Sequence, residues 1–111
     1  MTMLRNSALI TLASLFIAGA AVPAFAESVW DRNHPRRDQV NDRIAHQERR
    51  ITQERREGEL SRGQARAMRG QLAGIRAQER YDARFDGSHI TRGEQGQLNR
   101  ELNYTSREIG R

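Results

Sequence analysis

Leu60-Ser61-Arg62-Gly63-Gln64 and, thirty residues later, Ile90-Thr91-Arg92-Gly93-Glu94 carry one signal twice. Each places an apolar residue before a hydroxyl residue, with an amide or carboxylate three positions after it. A Ser or Thr N-cap accepts a hydrogen bond from the backbone N–H three residues on. The Gln or Glu there reaches back to the N–H of the cap, and the apolar residue before the cap staples the entry. Each stretch therefore predicts a helix start. Met68 and Leu72 follow the first copy at the offsets where Leu98 and Leu102 follow the second. The chain thus holds a duplicated helix-start unit, in too few copies for a solenoid.

The helices on either side follow from periodicity. After Ser61, one face carries Ala65, Met68, Leu72 and Ile75. Tyr81 and Phe85 fall off that face, so the helix is expected to end or bend near Ala83, and Asp86-Gly87 marks the turn. After Thr91 the stripe is Leu98, Leu102, Thr105, Ile109. Upstream, Val40, Ile44, Gln47 and Ile51 repeat its 4, 3, 4 spacing, with a polar residue in the same third slot. Four such positions lie within about 60° of one another on a helical wheel. Asn33 reads as the N-cap of this first helix and Pro35 suits its first turn. The helix runs to about Glu57, with Gly58 as the residue after the C-cap. Gly70 and Gly74 weaken the middle helix by roughly 1 kcal/mol each relative to Ala, unless they permit close helix packing.

No segment alternates like a strand. The fold class expected is all-α: three helices joined by short turns, as an antiparallel bundle or an open helical hairpin with a third arm. These helices occupy residues 35–111 as a single domain. Residues 27–34 read as a flexible lead-in whose Trp30 either docks on the body or stays exposed.

Residues 1–26 read as a secretory signal peptide. Met1 to Arg5 is a short positive start, Ala8 to Ala21 is almost wholly apolar, and Pro23 precedes the small-x-small site Ala24-Phe25-Ala26. The apolar run is shorter than the ~20 residues that span a bilayer. Cleavage after Ala26 exposes Glu27 rather than a Cys, which argues against lipid attachment. The expected location is the periplasm, or outside the cell.

The 85 residues after Ala26 hold 18 Arg, 14 acids and no Lys, a net charge of +4. Only 16 of them are large apolar or aromatic residues, so a compact monomer is marginal. An elongated helical shape, oligomerisation and folding upon a partner are the three answers open, and the narrow apolar stripes make self-association the expected one. Without cysteine there is no disulfide to compensate. Arginine interleaved with acid differs from the unbroken basic face of a nucleic-acid binder.

No motif assembles catalytic machinery. A calcium loop around Gly58 places Arg55 among the ligands, and around Asp82, Asp86 and Ser88 the spacing to Ile90 and Glu94 is one residue long. His34, His46 and His89 lack i,i+4 pairing, Ser88-His89 are merely adjacent, and Asp38 and Asp42 share a solvated face. The expectation is a protein that is not an enzyme and uses no metal or cofactor. The most distinctive feature is a stripe of Arg62, Arg66, Arg69, Arg76, Arg80 and Arg84 beside the Met68, Leu72, Ile75 face. Acids on the other helices (Glu48, Glu54, Glu101, Glu108) are available to offset it. If they do not, the stripe is a surface for acidic, partly apolar partners.

Two resemblances rest on these residues. His34-Pro35-Arg36-Arg37 with Val40-Asn41, Gly87 with Ile90-Thr91 and Glu94, and the tail Leu98-Asn99, Asn103, Ser106-Arg107, Ile109 resemble a group of small signal-peptide-bearing proteins of Gram-negative bacteria whose activity is unassigned. That resemblance implies location and helical form. Leu60-Ser61-x-x-Gln64 with Met68, and Ile90-Thr91-x-x-Glu94 with Leu98, are also similar to the Leu-Thr-x-x-Gln repeat of the Spy and CpxP periplasmic stress proteins. Ser replaces Thr in one copy; Ile and Glu replace Leu and Gln in the other. This second resemblance implies an all-helical, cradle-shaped dimer that holds unfolded clients or buffers envelope stress, with relatives that bind metals.

The function expected is a non-enzymatic exported binding or envelope-stress protein, chaperone-like, using Met68, Leu72 and Ile75 with the flanking arginines to hold protein clients or an envelope protein. The alternatives are a binder of anionic envelope polymers or surfaces, and a structural or regulatory partner of one envelope protein.

Overall fold

A computed structural model describes residues 28–110, so the leader read over 1–26 lies outside the described residues. Within them the chain is all-helical and has no strand: α1 (Val29–Asn33), α2 (Pro35–Arg56), α3 (Arg62–Arg84) and α4 (Arg92–Ile109).

Both duplicated starts are capping boxes. The Ser61 hydroxyl accepts from the Gln64 N–H at 3.0 Å, and the Gln64 side chain accepts from the Ser61 N–H at 2.8 Å. Thr91 and Glu94 repeat the exchange at 3.1 and 2.8 Å. The staples Leu60 and Ile90 are buried. Gly58 takes the left-handed conformation, φ +81°, beyond the end of α2. There the Gly58 N–H donates to the Arg55 carbonyl and the Glu59 N–H to that of Glu54, the paired bonds of a Schellman closure.

The lead-in differs from expectation. Ser28 and Asp31 form a third capping box, at 3.0 Å in both directions, and start α1. Asn33 is the last residue of α1 rather than the cap of α2. His34 occupies the cap position with no side-chain cap bond, and Pro35 opens α2. The fold thus has three long helices preceded by one short one.

Cross-helix bonds give the topology. Between α2 and α3 the partners run in opposite senses, Arg37 with Glu79, Glu48 with Arg76, Thr52 with Arg69. Between α2 and α4 they run in the same sense, Gln39 with Asn99, Gln47 with Leu102, Arg50 with Ser106. The three long helices therefore form an up-down-up bundle, α2 parallel to α4 and α3 antiparallel to both. Its core is the three stripes read from periodicity, closed at the turns by Leu60 and Ile90.

The polar third slots are core positions too. Gln47 is 2% exposed and donates from Nε2 to the Leu102 carbonyl at 3.0 Å. Thr105 is 1% exposed and its hydroxyl donates to Gln71 Oε1 at 3.0 Å. Each ties its helix to a neighbour where an apolar residue would only pack, which fixes the register of the bundle.

Candidate functional site

Met68, Leu72 and Ile75, expected to form a client-holding face, are 6%, 0% and 5% exposed. They close the bundle against α2 and α4. Their burial has a simple cause: with so few large apolar residues in the chain, a narrow apolar stripe is needed inside the bundle rather than on its surface. Ala65, on the same stripe, is buried with them.

The arginine flank fares differently. Arg76 meets Glu48 at 3.5 Å and Arg69 donates to the Thr52 hydroxyl at 3.1 Å, which turns this flank toward α2. Arg62, Arg66 and Arg80 are exposed, and among the described residues no acid pairs with them. Arg84 lies over the Tyr81 ring, 5.7 Å from its centroid. Of the acids available to offset the stripe, only Glu48 engages it. The end of α3 also carries exposed aromatics, Phe85 at 72% and Tyr81 at 52%, packed edge to face at 5.1 Å. The cap residues Ser61, Gln64, Thr91 and Glu94 are spent within their own boxes.

On the opposite flank of α3 a groove of about 560 Å³ runs along the seam with α4. Ile75 and Thr105 lie at its floor; Gln71, Gly74, Arg100, Glu101 and Tyr104 line it. Glycine makes this groove. A Cβ at Gly70 or Gly74 would meet nothing within 4 Å, so neither glycine serves close packing inside the chain. Tyr104, half exposed at 53%, forms the groove's α4 wall under the Arg107 guanidinium.

A second feature escaped the sequence reading. Glu79 is 1% exposed, on the stripe that holds Met68, Leu72 and Ile75. It pairs with the Arg37 Nε. The spacing 68, 72, 75, 79 placed Glu79 on the buried face; its partner becomes visible only when α2 and α3 are set antiparallel. Arg37 also donates to the Ser88 carbonyl at 3.0 Å, and Arg36 to that of Ile90 at 2.7 Å. Beside them Trp30, His34 and His89 form a stack, with ring separations of 4.1 and 4.6 Å. Trp30 thus docks on the body while remaining 40% exposed. His89 stacks on His34, and His46 lines a separate groove between α2 and α4.

Among the described residues no three His, Asp or Glu side chains converge as a metal site. No described helix is long and apolar enough to cross a membrane. Comparison of the chain with family models, curated proteins and solved structures finds no match.

Proposed function

We propose that the chain is an exported, non-enzymatic binding protein of the bacterial envelope that takes acidic, partly apolar protein partners on the arginine flank of α3. The observation that carries this reading is the set of exposed, unpaired cations Arg62, Arg66 and Arg80, which leads to the exposed Tyr81 and Phe85. Guanidinium groups bind carboxylates in two-point fashion, and the aromatic end supplies apolar contact. The flank would suit an envelope-stress client or one dedicated envelope protein whose surface is acidic and partly apolar.

The test replaces Arg62, Arg66 and Arg80 with Glu together. These side chains are solvent-exposed and outside the core, so the fold persists. Suppression of client aggregation, measured by light scattering, should fall several-fold. Unchanged suppression sinks the reading.

A second reading, a binder of anionic envelope polymers, gains from the burial of Met68, Leu72 and Ile75, which removes the broad apolar half of a client surface. Salt separates the two. Polyanion binding by several arginines should fall steeply with ionic strength. Client holding should persist at moderate salt.

A further inference from the structure

The two flanks of α3 differ in charge as sharply as in shape. All six arginines of α3 fall on one arc of the helix, the flank that Arg69 and Arg76 turn toward Thr52 and Glu48 of α2. The groove flank, Ala67, Gly70, Gln71, Gly74, Gln78, carries no charge over three turns, in a chain with 30% charged residues. Across the seam, α4 adds Arg100 and Arg107 against Glu101 and Glu108, a balanced set. A protein with a net positive charge therefore keeps the lining of this groove free of net charge, Arg100 set against Glu101, with Asp82 beyond its end where Gln78 binds it. The same face holds the groove's floor at Ile75, a bare helix backbone at Gly70 and Gly74, and a half-exposed tyrosine.

We infer that this face seats a second copy of the chain, in a twofold dimer where each Tyr104 packs over Gly70 and Gly74 of the partner subunit. Two points favour a copy of itself over a foreign chain. Neutrality at the groove keeps like charges out of the contact between two cationic chains. The groove also supplies both halves of one contact, a knob (Tyr104) and a hole (Gly70, Gly74), at the same height along the bundle, since Gly74 and Tyr104 line it together. A twofold axis parallel to the helices sets α3 of one copy on α4 of the other and brings each knob to the other's hole. Such self-complementarity is what an isologous interface requires. Glycine on a helix costs stability and here relieves no contact within the chain; the approach of a partner's ring gives it a purpose. The dimer leaves both arginine flanks outward, so it stands independently of the function proposed above.

Gly74→Leu tests the inference cleanly. Its side chain enters open space in the single chain and improves helix propensity, so the variant folds at least as well as the parent. In a dimer it fills the seat of the incoming Tyr104. The protein is produced with residues 1–26 in place, so that the cell sets the mature start, and is followed by sedimentation equilibrium and light scattering. The parent should be a dimer. Gly74→Leu and Tyr104→Ala should each weaken association by about 30-fold or more, the effect of removing a central interface contact. Melting should show Gly74→Leu folded. A parent that stays monomeric to millimolar concentration overturns the inference. So does a dimer that survives both substitutions, since it must use another face.

Discussion

The turn between α2 and α3 closes within its own backbone, through Gly58 and the carbonyls of Glu54 and Arg55, whereas the turn between α3 and α4 adds to its own backbone bonds, Ser88 to Ala83 and His89 to Asp86, a hold from a third helix. Arg36 and Arg37, at the start of α2, donate to the carbonyls of Ile90 and Ser88, and His34 stacks on His89. Both turns lead into the same five-residue start signal. Local code is therefore enough to begin a helix twice, but it does not decide how the preceding turn is secured. One end of the bundle is a self-sufficient hairpin; the other is a tertiary assembly built on an ion pair.

The strongest way to break this comparison is to remove the ion pair. Arg37→Ala leaves the Glu79 carboxylate inside the bundle without its cation, and should cost about 3–5 kcal/mol in urea unfolding. Changing Arg37 to Met and Glu79 to Leu together should restore most of that loss, because a well-packed apolar pair avoids the desolvation of both charges. A loss under about 1 kcal/mol for Arg37→Ala would mean the two ends are secured alike. The staples come next. Ile90→Ala and Leu60→Ala each empty a buried site and should each cost about 2–4 kcal/mol. Amide exchange sharpens the contrast. Ile90→Ala should loosen the start of α2 as well as that of α4, while Leu60→Ala should leave the start of α2 protected.

The same contrast explains what the sequence made legible. Helix bounds, both duplicated capping boxes, Gly58 and the three core stripes follow from spacing, because each rests on contacts within one turn or one face. Gln47 and Thr105 were visible as polar residues in core slots, though not their partners Leu102 and Gln71, which lie on other helices. The Ser28/Asp31 box was there to be read as Ser-x-x-Asp, and the short helix it starts takes Asn33 out of the cap position. Glu79 shows the limit most clearly. Its place on the stripe is a matter of counting, but charge inside a core makes sense only beside Arg37, 42 residues away. The groove lay further out of reach. Gly70 and Gly74 signal either tight packing or softness until the helix opposite them is known, and the structure sets Tyr104 there instead of a close-packed backbone.

A smaller effect tests whether the two starts are as equal as their sequences. Ser61→Ala and Thr91→Ala each remove a hydroxyl that accepts one backbone N–H, and each should cost about 1 kcal/mol. Equal losses show that the cap acts locally at both ends. A loss at Thr91 much larger than at Ser61 would mean that the cap also props the arginine contacts of the second turn, since the Ile90 carbonyl that receives Arg36 adjoins it.

The smallest effect concerns the residue that follows the turn glycine. Ser88 sits at φ +76° directly after Gly87 at φ +59°, two left-handed residues in succession, and only the first is a glycine. A non-glycine residue in that region costs about 1 kcal/mol or more, whereas glycine adopts it freely and loses more entropy on folding, by about half that amount. Ser88→Gly should therefore raise stability by about 0.5 kcal/mol, and Gly58→Ala, the opposite change at the other turn, should lower it by about 1 kcal/mol. The Ser88 N–H donates to the Ala83 carbonyl at 2.9 Å and its own carbonyl receives Arg37, and both bonds belong to the backbone that glycine keeps. If Ser88→Gly instead destabilises, the serine must be holding the turn for Arg37 by stiffness rather than by tolerated strain. The tertiary end of the bundle would then depend on a rigid turn as well as on its cations.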